Sequence, residues 1–124
     1  MRIVFHVPEL SRSIPCLNNV RNYLNQATEA QEESVQVIFN ADAVKGLVWG
    51  EESAERWRIL CDQHACIQLS VCNNSLKGYS LTPEQLIDTI RVIPAAVVTL
   101  VELQHQGWIY IRPQYRVKSS FLSA

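Results

Sequence analysis

The sequence predicts one α/β domain, a sandwich with a mostly parallel sheet of about five strands and helices on both faces. A strand, an amphipathic helix and a second strand follow one another within about forty residues, which is typical of a βαβ unit. Short apolar runs and helical patterns then keep alternating. The length of 124 residues and the 48% apolar content suit a single core. We therefore predict a domain over residues 1–113 and a C-terminal tail over residues 114–124.

The first half of the chain carries two predicted strands. Residues 2–7 (RIVFHV) are β-branched and aromatic, as expected for a buried strand. Ser11 or Ser13 is the predicted cap of the next helix, whose apolar residues recur at helical spacing. Residues 35–39 (VQVIF) form the second strand, and a later helix is predicted to be capped by Ser53. This half thus supplies the central part of a parallel sheet.

The second half repeats the alternation of strands and helices. Residues 65–71 predict a third strand with apolar side chains at every second position. Residues 82–85 (TPEQ) predict the start of a short helix, with Thr at the cap and Pro at the first helical position. Residues 91–93 form the fourth strand, a helix follows that ends at Gly107, and residues 108–111 (WIYI) form the last strand.

Cys72 is the leading candidate for chemistry. It follows the third strand directly, so its sulfur is expected at the carboxyl edge of the sheet, where ligands and catalytic groups collect. A cysteine at the start of a helix ionises more easily than one in a plain apolar setting. We therefore predict a reactive thiol, with Asn73, Asn74, Ser75 and Lys77 as binding groups around the anion. The alternative is a buried cysteine that only fills space.

Three further residues are candidates near this edge. His6 lies close to the carboxyl end of the first strand, and if strands one and three approach each other it could raise the thiolate fraction of Cys72. A histidine inside a strand is also often a hydrogen-bonded core residue. Asn19 on the first helix is a further binding candidate, and Cys16 in its first turn is a secondary thiol. The two remaining cysteines are predicted to fill the core.

Charge and motifs exclude several classes of function. The net charge is −1 and the 11 basic residues are scattered, so no nucleic-acid footprint is predicted. No apolar run is long enough for a membrane span, and the chain goes directly into a strand, so we expect a cytoplasmic protein with reduced thiols. The C-x4-C and C-x5-C spacings do not match a zinc knuckle, and the glycine-rich nucleotide motifs are absent. No metal and no cofactor is predicted.

Five segments together carry a family resemblance: VFHV, LNNVRNYLN, VQVIFNADAVKGLV, LSVCNNSLKGYSL and IPAAVVTLVELQHQGWIYIRP. They resemble the DsrE/DsrF-like family, which includes the TusD-related subunits of sulfur-relay complexes. The likeness extends over residues 2–113. The piece V-C-x-N-S-L-K-G is the most specific, and G-W-x-Y-I-x-P supports it. The Asn-Asn-Ser after the cysteine is more similar to an uncharacterised branch of the family than to its tRNA-thiolation branch.

The resemblance implies a small α/β sandwich that assembles as a trimer or hexamer. It also implies a sulfurtransferase-like carrier in which Cys72 takes up a persulfide sulfur from a donor protein and relays it to an acceptor. The apolar WIYI segment, Trp49 and Trp57 also favour a homo-oligomer. Two alternatives stay open. One is a non-catalytic ligand-binding or assembly module. The other is a thiol redox sensor in which Cys72 forms a sulfenic acid that Cys16 resolves.

Overall fold

A five-stranded parallel sheet organises the part of the chain that the computed structural model describes, residues 1–27 and 32–114. The strands are β1 (Arg2–Val7), β2 (Ser34–Phe39), β3 (Ile67–Cys72), β4 (Ile90–Ile93) and β5 (Ile109–Ile111). Their order across the sheet is β4-β3-β2-β1-β5, and every pairing is parallel. The predicted parallel sheet is thus confirmed, and the carboxyl ends of its strands all lie at the same edge.

In the described part of the chain, four α-helices connect these strands: α1 (Ser13–Gln26), α2 (Glu52–Gln63), α3 (Asn73–Gly78) and α4 (Ala96–His105). Shorter 3-10 segments occupy Leu10–Arg12, Ala41–Leu47 and Pro83–Gln85. Among the described residues no helix is both long and apolar enough to cross a membrane. The predicted tail lies outside the described residues from position 115 onward.

The larger core lies between the sheet and the layer formed by α1 and α2. Side chains alternate along a strand, so Phe5, Phe39 and Val71 all point into this layer. Trp57 of α2 meets Phe39 edge to face, with the ring centroids 5.4 Å apart. Leu17 of α1 is fully buried in the same cluster. This packing places the apolar face predicted for the first helix against the core, as expected.

Helix α4 covers the other face of the sheet. It joins β4 to β5, which are the two edge strands, so it crosses the sheet from one side to the other. Its inner side chains Ala96, Leu100 and Leu103 pack with Cys72 and Ile93 in a second, smaller cluster. Helices on both faces are therefore confirmed.

The side chains predicted to cap two helices have other roles. Ser13 lies inside α1, and its Oγ accepts a hydrogen bond from the buried Trp57 Nε1 at 2.9 Å. Ser53 lies inside α2 and donates to the Gly46 carbonyl at 2.6 Å. The prediction of side-chain caps was wrong because buried donors and acceptors compete for the same hydroxyls. A Cβ added at Gly46 would approach Leu10 Cδ1 to 2.9 Å and Ser53 Oγ to 3.0 Å, so these side chains would have to shift.

The TPEQ segment forms only one 3-10 turn, with the Thr82 amide donating to Gln85 Oε1 at 2.8 Å. The chain leaves the turn because Leu86 and Ile87 are buried, and the Ile87 amide donates to the Leu47 carbonyl at 3.1 Å. Tertiary pairing thus overrides a good local helix start. By contrast, Gly107 ends α4 as predicted, with the φ of +93° that glycine tolerates best.

Candidate functional site

Cys72 is the last residue of β3 and lies at the carboxyl edge of the sheet, as predicted. The odd-numbered positions of β3 face the larger core, so Cys72 points to the opposite face, toward the start of α4. Its side chain is 6% exposed. The sulfur is therefore shielded from bulk water but lies close to the surface of this edge.

The sulfur of Cys72 accepts a hydrogen bond from the start of α4. The backbone amide of Ala96 donates to Sγ at 3.5 Å. Burial raises the pKa of this thiol, but the Ala96 amide, the amide and hydroxyl of Ser75 and the Asn74 amide together lower the pKa below the ordinary value of 9.0. These donors favour the thiolate, which is the nucleophilic form of cysteine.

The pKa of each of the other three thiols is raised rather than lowered. All four cysteines of the chain are free. Burial raises the pKa of Cys16 far above its usual range and raises that of Cys61 to about 11. Burial also raises the pKa of Cys66. Cys72 is therefore the one cysteine whose surroundings stabilise the thiolate.

Cys16 cannot reach Cys72 in this fold. Cys16 is fully buried in the core cluster between the sheet and α1, whereas Cys72 belongs to the cluster on the α4 side. The sheet lies between the two clusters. The expectation that Cys16 faces the carboxyl edge and could resolve an oxidised Cys72 is wrong, because the helical turn at residue 16 points its side chain into the core.

The residues after Cys72 contribute mainly through their backbone. Asn74 and Lys77 have exposed side chains, and Asn73 is half-buried. Ser75 is half-buried, and its Oγ accepts a hydrogen bond from the Ala41 amide at 2.8 Å. Of the binding groups predicted here, Ser75 is thus the one whose side chain helps to lower the pKa of Cys72, and its Oγ is bound by the segment after β2.

His6 lies on the same face of the sheet as Cys72 but is not its neighbour. Strand β2 lies between β1 and β3, so the expected approach of their two ends does not occur. His6 instead uses Nε2 toward Asn40 Oδ1 at 3.0 Å and Nδ1 toward the Tyr110 hydroxyl at 2.7 Å. Burial lowers the pKa of His6, against the effect of the Asn40 hydrogen bond, and Arg112 and Arg12 lower it further.

Asn19 lies apart from the thiol. It is exposed on α1, at a shallow surface cavity of about 480 Å³. The cavity is lined by Pro15, Asn18, Asn19, Arg112, Pro113 and Gln114. The structure thus does not bring Asn19 together with Cys72. Within residues 1–27 and 32–114, no group of three or more His, Cys, Asp or Glu side chains is arranged to hold a metal ion.

Two contributors to the site were missed by sequence reasoning. Ala96 supplies a backbone donor from the junction of β4 and α4, and Ala41 supplies one from the segment after β2. Neither residue type carries chemistry in its side chain. The available signal was positional, since both follow the carboxyl end of a strand at the same edge of a parallel sheet.

Comparison with known proteins agrees with this architecture. A family model described as the DsrE/DsrF-like family matches residues 21–113. The protein of unknown function MTH1491 from Methanobacterium thermoautotrophicum is similar in structure, with a TM-score of 0.81 and 27% identity over 90% of this chain and 98% of that one. The ychN protein from E. coli shares the fold, with a TM-score of 0.71 and 15% identity over 90% of this chain and 99% of that one. No curated protein gives a significant sequence match.

Proposed function

The chain belongs to the DsrE/DsrF-like family, and from this premise we propose that it is a sulfur carrier that accepts a persulfide sulfur on Cys72 and relays it to a partner. The family is associated with sulfur relay. The observation that carries the proposal is the contrast among the four thiols. Donors around Cys72 lower its pKa, whereas burial raises the pKa of each of the others.

The chemistry is a thiol–persulfide exchange. The Cys72 thiolate attacks the outer sulfur of a donor persulfide, the S–S bond of the donor breaks, and the donor sulfur leaves as a thiolate. Cys72 then carries the extra sulfur. The amide of Ala96 and the donors of Ser75 raise the fraction of attacking thiolate at neutral pH. Such a sulfurtransferase-like step needs no cofactor, and free thiols suit the reducing cytoplasm, which we propose as its location.

We also propose that the protein forms a homo-oligomer, a trimer or a hexamer. Proteins of this family are in general oligomeric. The outer side of α4 exposes three valines, Val97 at 68%, Val98 at 53% and Val101 at 62%. An exposed apolar patch of this kind is typical of an interface. Trp57, which the sequence suggested for this role, is fully buried, whereas Trp49 is 46% exposed.

Intact-mass spectrometry after incubation with a persulfide donor tests the carrier function. The wild-type protein is expected to gain about one sulfur mass and to lose it under reductant. Cys72→Ser should gain nothing. Cys66→Ser is the matched control, because it removes a partly exposed thiol with a raised pKa and should load like the wild type.

Two results would contradict the carrier function. One is a wild-type protein that stays unmodified while a small persulfide control peptide exchanges sulfur normally. The other is a gain that persists in Cys72→Ser, which would assign the sulfur to a different thiol.

A further inference from the structure

The hydroxyl of Ser75 accepts a hydrogen bond from a backbone amide in the segment after β2. Ser75 lies three residues after Cys72 in the first turn of α3, and its Oγ accepts from the Ala41 amide at 2.8 Å. Ala41 has a φ of +50°, a left-handed conformation that residues other than glycine rarely adopt. The direction of this amide is therefore set by an unusual backbone geometry.

The residue before Ala41 explains why this geometry persists. The Asn40 amide donates to the Val7 carbonyl at 3.1 Å, and the Asn40 carbonyl accepts from the Ala43 amide at 3.2 Å. The Asn40 side chain also contacts His6 Nε2 at 3.0 Å. These contacts tie Asn40 to β1 and to the following turn. Strained backbone of this kind is maintained only where the surroundings over-determine it, and it clusters at functional sites.

The hydrogen bond from Ala41 decides what Ser75 does with its own proton. A serine hydroxyl has one donor and two acceptor positions. Because the Ala41 amide occupies an acceptor position, the proton remains available for Cys72, and Ser75 is among the groups that act on this sulfur. The Ala96 amide approaches the same Sγ at 3.5 Å. The donors therefore gather on Sγ itself, the sulfur that is the leaving group when a persulfide is passed on.

Resting on the proposed function, we infer that Ser75, oriented by the Ala41 amide, donates a hydrogen bond to the departing Cys72 sulfur and thereby promotes delivery of the outer sulfur to an acceptor thiol. Cys72 is the N-cap of α3 and Ser75 is its third residue, a spacing that brings the two side chains close together, and Ala41 is the positioning residue behind Ser75.

An acceptor thiolate attacks the outer sulfur of the Cys72 persulfide, and a new S–S bond forms. The bond between the outer sulfur and Sγ breaks, its electron pair stays on Sγ, and the outer sulfur keeps its proton. The products are an acceptor persulfide and a Cys72 thiolate. Donors on Sγ stabilise this thiolate more than the neutral sulfur of the persulfide, so they favour delivery over storage.

The experiment compares Ser75→Ala with Ser75→Thr, which keeps a hydroxyl, and with the control Ser34→Ala at the opposite edge of the sheet. Each variant is loaded with sulfur at Cys72, mixed with 2-mercaptoethanol, and followed by intact mass. Loss of one hydrogen bond to a charged group should slow delivery about tenfold in Ser75→Ala. The pH midpoint of Cys72 alkylation by iodoacetamide should also rise in that variant. Ser75→Thr should restore both readouts, and Ser34→Ala should match the wild type.

The inference is overturned if Ser75→Ala delivers sulfur at the wild-type rate with an unchanged alkylation midpoint. It is also overturned if Ser75→Thr is as slow as Ser75→Ala, since that result would indicate a packing effect. A wild-type protein that never loads sulfur would contradict the proposed function instead. In that case the alkylation midpoints still decide whether Ser75 stabilises the anionic sulfur.

Discussion

His6 and Cys72 lie on the same face of the sheet, near the carboxyl ends of β1 and β3, and β2 separates them. The imidazole is engaged by Asn40 and Tyr110, so the thiol is activated by amides and a hydroxyl rather than by a histidine. This arrangement differs from a cysteine–histidine pair, in which the base takes the proton directly. Amide donors hold the charge on sulfur without titrating near neutral pH.

The lowered pKa of His6 predicts that protonation of this residue at acid pH reduces the free energy of unfolding. The unfolded chain binds a proton at His6 near pH 6.5, whereas the folded chain resists it until the pH is lower. The free energy of unfolding should therefore fall as the pH drops below about 6.5 and continue to fall through the lowered pKa. His6→Gln, whose amide does not titrate, should lose this part of the pH dependence in urea unfolding.

Equal pH slopes for the wild type and His6→Gln would show that His6 is protonated as easily in the folded state as in the unfolded chain.

The contrast among the four thiols predicts selective alkylation. A thiol with a pKa of 9 is about 3% ionised at pH 7.5, and the lowered pKa of Cys72 should raise that fraction. With a small reagent such as iodoacetamide, peptide mapping should find Cys72 modified before Cys61 and Cys66. Cys16 should react only in denaturant, since it is fully buried. Faster modification of Cys66 than of Cys72 would contradict this order.

The buried hydrogen bond between Trp57 and Ser13 predicts a stability effect outside the site. Ser13→Ala leaves the indole N–H of Trp57 without its acceptor, and an unpaired buried donor costs about 1–3 kcal/mol. Urea unfolding should detect this loss, whereas Ser11→Ala, at an exposed position, should change the free energy of unfolding by less than about 0.5 kcal/mol. In a Trp57→Phe background, Ser13→Ala should lower the free energy of unfolding by less than it does in the wild type. An equal loss in both backgrounds would show that the hydrogen bond between Trp57 and Ser13 does not contribute to stability.

The exposed valines of α4 predict a charge-sensitive assembly. Val101→Glu places a charge at the centre of the outer face of α4 and should convert the proposed oligomer to smaller species with an unchanged circular dichroism spectrum. Ile59→Glu, at a 44% exposed position on α2, is the matched control and should leave the assembly intact. Light scattering gives the mass of each species. A monomeric wild-type protein at micromolar concentration would refute the homo-oligomer.

Local signals predicted much of the architecture. The first two strands were placed within one residue of β1 and β2, because short β-branched runs bounded by polar residues form strands in most contexts. The end of α4 at Gly107 was correct because a positive φ suits glycine. The short helix predicted at TPEQ is a single 3-10 turn in the structure, since the burial of Leu86 and Ile87 outweighs the local capping signal.

The sequence by itself determined the alternation of strands and helices, the parallel sheet and the position of Cys72 at the carboxyl edge. Only the tertiary structure decided which groups meet there. Strand order depends on contacts between distant segments, and it inserted β2 between His6 and Cys72. The donor from Ala96 lies 24 residues from Cys72 along the chain, and the Ala41 donor lies 34 residues from Ser75. Every residue except proline carries a backbone amide, so the residue type does not show where that amide points. Its direction is set only by the folded structure.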